Sequence, residues 1–273
     1  MLLRKLKNII CKNCTKNEKD PYLKYVPLSP RQNDIYLVEF PKSGITWLSF
    51  MMAYINIRKS GTDKNITFYN LIDIIPSIHI SRNIGNSNLQ FPGCRFIKSH
   101  SEYNPHYKKI IYLVRDPRSV MISYFYFLKN LGEFNGTLSE FIKDTRFGAI
   151  KWHTHVRGWI KDSDLLKQRI IFIKYEDLKT KTEECLKNIY IYLGYDLSMD
   201  LVKQAVKESS IQKMKEQEDI ICRYDVRRQY DNRYTGFNFV RQGEINNFSE
   251  LLENDIEYIN YNCKEMMQLF GYT

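Results

Sequence analysis

Apolar residues fall in short uninterrupted runs along this chain, and each run closes on polar residues capable of chemistry. Ile35-Tyr36-Leu37-Val38-Glu39-Phe40 is a β-rich run followed by the turn Pro41-Lys42-Ser43-Gly44. Ile45 to Ile57 is long, apolar and free of glycine and proline, which predicts a helix. Arg95–Lys98 predicts a short strand ending at Ser99-His100. Lys109–Val114 predicts a buried strand ended by Arg115-Asp116-Pro117. Pro117 suits a first helical turn and Asp116 its cap, so a helix should run to about Asn130. Arg169–Lys174 predicts another buried strand, followed by Tyr175-Glu176-Asp177 and a helix over 182–193. Further helices are expected near 137–144, 150–162, 198–208 and 249–270. Strands alternating with helices predict an α/β fold: one domain over 34–273, a central parallel β-sheet flanked by helices, preceded by an N-terminal arm over 1–33. In such sheets ligands bind beyond the carboxyl ends of the strands, where Lys42, His100, Arg115 and Tyr175 fall. Residues 60–92 and 219–247 are turn-rich and poorly periodic, as lids and binding loops are.

Composition narrows the class. Of 273 residues, 43% are hydrophobic and 26% charged, which is globular and excludes disorder. No run of 18 apolar residues suggests a membrane span, and Met1–Lys16 lacks the sustained apolar stretch of a signal peptide. The formal charge of +10 fits either a polyanionic ligand or a diffuse basic surface. The six cysteines are dispersed, as in a reducing cytoplasm. Cys11 and Cys14 form a C-x-x-C in a polar arm, with no second ligand pair to complete a zinc site. Abundant Ile, Lys, Asn and Tyr point to an AT-rich genome. No recognised nucleic-acid motif is present.

Pro41-Lys42-Ser43-Gly44-Ile45-Thr46-Trp47 carries the strongest chemical signal. Gly44 allows close backbone approach, and the amides after it open a helix N-terminus that favours an anion. Lys42 adds charge, and Ser43 and Thr46 add hydroxyls. The glycine spacing is not that of a Walker A loop. Arg115 stands at a strand end, where a guanidinium fork suits a phosphate, and Ser123 follows about two helical turns on.

These residues resemble a known family. Pro41-Lys42-Ser43-Gly44-x-Thr46-Trp47 looks like the 5′-phosphosulfate loop of the cytosolic sulfotransferases. Arg115-Asp116-Pro117-Arg118-Ser119-Val120-x-x-Ser123-Tyr124 resembles their 3′-phosphate motif. Lys98-Ser99-His100 is similar to the segment carrying their catalytic histidine, and Tyr175-Glu176-Asp177 to the segment whose tyrosine lies near the adenine. Ser209-Ser210-Ile211-x-x-Met214 is a looser match, and Phe239-Val240-Arg241-Gln242-Gly243 corresponds to their C-terminal motif. The motifs stand in family order over roughly 35–250. Ile45 replaces a usual Thr or Ser, but its backbone amide would still bind. Gln242 replaces a usual Lys, Asn246-Asn247-Phe248-Ser249 replaces a Gly-x-Trp-Lys, and the family's dimer motif is missing, which leaves the oligomeric state open.

The resemblance implies a cytoplasmic, bacterial, small-molecule sulfotransferase with a P-loop-kinase-like fold. It implies 3′-phosphoadenosine 5′-phosphosulfate (PAPS) as donor, 3′-phosphoadenosine 5′-phosphate (PAP) as product, and no metal, nucleic acid or membrane partner. His100 is then the general base, with Lys42 and Lys98 acting on developing charge. Lys42, Ser43, Gly44, Ile45, Thr46 and Trp47 cradle the 5′ side. Arg115, Ser123 and Arg241 hold the 3′-phosphate, Ser209, Gln242 and Gly243 are further donor-binding residues, and Trp47 and Tyr175 flank the adenine. Trp152, His155 and Trp159 are read mainly as packing, and 203–218 as a solvated helix face. Residues 219–247, rich in Arg and Tyr, are expected to order over the donor as a lid. The acceptor, a hydroxyl or an amine, is expected between segments near 68–82, 102–107, 126–148 and 225–240. Phenols and alkaloid-like cations both suit these segments, with a leaning to a specialised metabolite or nitrogen-rich toxin. A nucleotide-dependent phosphoryl-transfer enzyme and a silent PAP-binding protein are the alternatives.

Overall fold

The protein is described from a computed structural model covering residues 20–68, 70–84, 93–161, 169–216 and 248–272. Its centre is a sheet of four parallel strands, β1 (Asp34–Glu39), β2 (Arg95–Ser99), β3 (Lys109–Val114) and β4 (Ile170–Lys174), in the order β2-β1-β3-β4. Val38 pairs with Ser99 on one side and Tyr112 on the other, so the three strands end nearly level.

Continuous apolar runs form these strands because both faces are covered. Alternate residues divide between two cores. Tyr36, Val38, Ile110, Tyr112 and Val114 pack toward α3 (Pro117–Asn130), α5 (Ala149–Lys161) and α9 (Glu253–Phe270). Ile35, Leu37, Ile111 and Leu113 pack toward α1 (Ile45–Lys59), α7 (Thr182–Tyr192) and α8 (Met199–Glu208). Trp152 and Trp159, both fully buried, anchor the first core. The parallel α/β architecture read from the sequence is the one observed. The described residues also hold the short helices α2 (Leu71–Ile74), α4 (Leu138–Lys143) and α6 (Tyr175–Thr180), a 3-10 turn at Pro21–Tyr25 and a helical stretch over 211–216. No helix among the described residues is long and apolar enough to cross a membrane.

The sequence pattern underestimated two places. Tyr175-Glu176-Asp177 begins a helix directly at the end of β4, and Leu71–Ile74 adds one turn inside the segment read as irregular. Asp116 does cap α3, its carboxylate accepting the Arg118 N–H at 2.8 Å with Pro117 in the first turn. Residues 20–33 pack on the sheet's edge. Tyr107 donates its hydroxyl to the Tyr25 carbonyl at 2.8 Å, and Arg95 donates to Ser29 O at 2.9 Å. Cys11, Cys14 and Cys222 lie outside the described residues, and Cys94, Cys185 and Cys263 are free thiols.

The connection from β1 leaves toward β2, whereas that from β3 leaves toward β4. The two loops therefore part and open a crevice above the carboxyl ends of β1 and β3. At the opposite end of β1 a buried ion pair fixes β1 to β2. Arg95 meets Asp34 through two 2.8 Å bonds, and its remaining N–H groups reach the carbonyls of Ile84 and Ser29. Removing one partner of such a pair leaves a charge uncompensated in the interior. Asp34→Ala should therefore destabilise the fold by about 3–5 kcal/mol, read as a lowered urea midpoint with an unchanged denaturant slope.

Candidate active site

The turn after β1 is built by its own backbone demands. Phe40 O accepts both the Ser43 N–H at 3.3 Å and the Ser43 hydroxyl at 2.9 Å, closing the loop. Lys42 carries a φ of 74°, alone among described non-glycine residues in the left-handed region. Such a conformation costs of order 1–3 kcal/mol and persists only where its surroundings enforce it. Gly44, at φ 110°, starts α1 and has no room for a side chain. A Cβ there would stand 2.6 Å from Cδ2 of Tyr175. The 15-residue α1 thus aims its N-terminus into the crevice.

A cavity of about 550 Å³ fills the crevice. The structure brings Lys42, Gly44, Ile45, Thr46, Trp47, Lys98, His100, Arg115, Ser123 and Tyr175 to its wall. Ser43 and Ser209 lie behind the wall instead. The Ser43 hydroxyl is turned inward to Phe40, and buried Ser209 offers its carbonyl to the Trp47 indole N–H at 2.9 Å. Arg241, Gln242, Gly243 and the expected lid over 219–247 lie outside the described residues. Of the acceptor segments, Ser77, His79, Ile80, Phe127, Leu128, Leu131 and Glu133 reach the cavity, whereas none of 102–107 does.

The cationic residues come from three strand ends. Arg115, after β3, stacks over the Tyr175 ring at 4.2 Å and donates to Lys42 O at 3.4 Å. Lys42 lies over the Phe127 ring at 4.5 Å. Lys98, on β2, donates to the Thr46 hydroxyl at 3.3 Å, and burial lowers its pKa while the Glu39 carboxylate opposes that shift. Trp47 and Tyr175 form an edge-on aromatic pair with centroids 6.3 Å apart. The Arg115 turn is braced from behind. Glu176 accepts the Asp116 N–H at 3.1 Å through one oxygen and the Tyr272 hydroxyl at 2.9 Å through the other.

His100 is held through its backbone. Its N–H donates to Nε2 of His79 at 2.7 Å, and its carbonyl faces Nε2 of His155 at 3.3 Å. His155, read from sequence as packing, also meets the Tyr112 hydroxyl at 2.8 Å through Nδ1. His153, two residues earlier, points elsewhere, toward Glu265 at 3.7 Å. Desolvation holds His79 and His155 down to about 4, so both are neutral near neutral pH. Desolvation, with Lys98 and His79 adding to it, also pushes the His100 imidazole well below its ordinary range. A neutral imidazole is the form that can accept a proton.

Two residues of this site were missed in the sequence. Glu39 ends β1 inside an apolar run and is buried, accepting the Ile45 N–H at 2.7 Å. An acid within that run was the available signal. Burial pushes its carboxyl up to about 7, against the pull of the Ile45 N–H and of Lys98 and Lys42. His79 sits in the poorly periodic segment and had no local signal. Among the described residues no group of three or more His, Cys, Asp or Glu is placed to hold a metal ion.

Residues 32–271 match the family model described as the sulfotransferase domain. The chain is 29% identical over 237 residues to sulfotransferase 2A1 of Mus musculus, covering 81% of this chain and 75% of the relative. It is 28% identical over 200 residues to the amine sulfotransferase of Oryctolagus cuniculus, covering 68% and 64% of the two chains. In fold it is similar to retinol dehydratase in complex with androsterone and the inactive cofactor PAP. The TM-score is 0.64 at 19% identity, over 90% of this chain and 85% of the other.

The approach of Tyr175 to Gly44 is directly testable. Gly44→Ala forces a Cβ into the ring and a side chain into an unfavourable φ, and should destabilise the protein by about 1–3 kcal/mol, measured by urea unfolding.

Proposed function

This chain belongs to the sulfotransferase domain family, and on that premise we propose that His100 is its general base and that Lys42, Lys98 and Arg115 hold the anionic donor. As a member of the family it is an enzyme that transfers a sulfuryl group from PAPS to a small-molecule acceptor. The observation that carries the finer reading is the convergence of three cationic side chains, a helix N-terminus and one histidine on a single cavity. The residues present fit the donor. The crevice offers cations at the ends of β2 and β3 and after β1, and Gly44 leaves its backbone approachable. PAPS, when bound, supplies the sulfuryl group and a phosphate leaving group.

Each role follows from position. Lys42, Gly44 and Thr46 line the wall at the N-terminus of α1 and face the 5′ side. The Ile45 N–H is held by Glu39 in this structure, so the cradle there rests on Lys42, Thr46 and the remaining amides. Ser43 supports the loop from behind. Arg115 and Ser123 face the 3′-phosphate, and Arg241, Gln242 and Gly243 are proposed to join them. Ser209 acts by fixing Trp47, which with Tyr175 forms a place for the adenine. His100, neutral in its desolvated position, takes the proton from the acceptor, and its main-chain bonds to His79 and His155 keep the imidazole in place. Lys98 and Lys42 lower the cost of negative charge that builds up during transfer.

The acceptor end is lined by Ile122, Tyr124, Phe127, Leu128 and Leu131, with Glu133 beside them. An aromatic or otherwise apolar body carrying a hydroxyl or amine fits this lining. Glu133 favours a cationic nitrogen among such acceptors, which keeps a nitrogen-rich metabolite within the proposal.

His100→Ala should lower turnover by roughly 100-fold or more while PAP affinity, measured by calorimetry, changes little. A wild-type rate in this variant would exclude His100 as base. Lys42→Ala should lower turnover more than donor affinity. Arg115→Ala should do the reverse, weakening PAP binding by about 1.5–3 kcal/mol, the worth of a charged hydrogen bond.

A further inference from the structure

We infer that Glu39 is a positioning residue for His100: its carboxylate orients the imidazole with Nδ1–H toward β1 and supports the imidazolium formed when Nε2 takes the acceptor's proton. The inference rests on His100 being the base. Its geometric basis is a pair of strand ends. Glu39 closes β1 and His100 follows β2, and the parallel register of these neighbours brings Glu39 Oε1 within 3.7 Å of His100 Nδ1. That nitrogen is buried and makes no full hydrogen bond among the described residues; the Glu39 main chain also faces the ring and favours its charged form, and the carboxylate is the negative group within reach.

The other oxygen of Glu39 is fixed by the Ile45 N–H at 2.7 Å, at the first turn of α1. The carboxylate is thus anchored by main-chain amides around the start of α1, that of Lys42 also drawing on it, with Oε1 turned to the base. Its side chain is 4% exposed. In so dry a place a carboxylate next to an imidazole favours the cationic ring, and it selects the tautomer whose Nδ1 carries hydrogen. That leaves Nε2 as the acceptor of the proton. In the transfer, the O–H or N–H proton of the acceptor goes to Nε2 and the bonding pair it leaves forms the new bond to sulfur. The bond from sulfur to the 5′-phosphate oxygen breaks, with its pair staying on that oxygen.

The groups facing this pair set the balance. Lys42 and Lys98 favour the ionised carboxylate. Lys98 and neighbouring His79 and His155 disfavour a charged His100 ring. Tyr112, from β3, is held neutral by burial and by Glu39 itself. Burial raises Glu39 to about 7 and pushes the His100 ring well below its ordinary range, so the proton balance of one group depends on the charge of the other.

Glu39→Gln separates this role from a structural one, because the amide oxygen can still accept the Ile45 N–H while the charge is gone. The expected result has three parts. PAP affinity and thermal midpoint stay close to wild type. Turnover falls roughly 10- to 100-fold. The His100 titration, followed by NMR of ¹⁵N-labelled histidine without donor, moves to lower pH, because the cationic ring loses its negative neighbour. Glu39→Asp, which keeps the charge, should recover part of the rate and the titration. Unchanged turnover and an unchanged His100 titration in Glu39→Gln would overturn the inference. So would a loss of PAP binding and stability with an unmoved titration, which would mark a purely structural carboxylate. Full activity in His100→Ala together with inactivity in Glu39→Gln would instead make Glu39 the base, and would fail the reading of His100 rather than only its partner.

Discussion

Both faces of the sheet are covered by helices, so a polar side chain on a strand has only the strand's end to occupy. This constraint places Glu39, Lys98, His100 and Arg115 at one rim. The parallel order then sets their spacing, since β1 lies between β2 and β3 and its end comes within reach of both. The crevice exists because the loops after β1 and β3 depart in opposite directions. Chemistry is concentrated there by topology before any side chain is chosen.

Inside that rim, opposite charges are kept close but incompletely matched. Lys98 contacts a neutral hydroxyl, and the Glu39 carboxylate is held by a backbone amide. Low-dielectric surroundings make each such charge strong, and the same surroundings push lysine and histidine toward neutrality and glutamate toward protonation. The Glu39 carboxyl, raised to about 7, is poised between its two charge states at neutral pH, beside imidazoles that burial holds neutral.

Much of this was legible in the chain. Continuous apolar runs gave the strands, and the helix starts at Ile45 and Pro117 were visible from glycine, proline and Asp116. Lys42, Arg115 and Tyr175 could be placed at strand ends because strand ends are local features. What escaped were relations across the fold. Glu39 reads as one more strand residue until β2 is laid beside β1. His79 comes from a segment without periodicity, and only the folded chain brings its ring to the His100 amide. Ser43 sits in the loop as a hydroxyl donor, yet the tightness of the turn directs that hydroxyl to Phe40. Sequence pattern reports which face a residue occupies, whereas partners are fixed by register and by turn closure.

The brace behind Arg115 bears on how the protein is made. Asp116 caps the helix that follows β3 and Glu176 lies in the first turn of α6 after β4, but Tyr272, which bonds to Glu176, follows α9. A chain emerging from the ribosome folds from its beginning, and the strands with their cation-bearing loops can assemble first. The bond to Glu176 can form only once Tyr272 has been added. The Arg115 turn is thus steadied by a tyrosine that does not line the cavity and stands 96 residues along the chain from the glutamate it bonds.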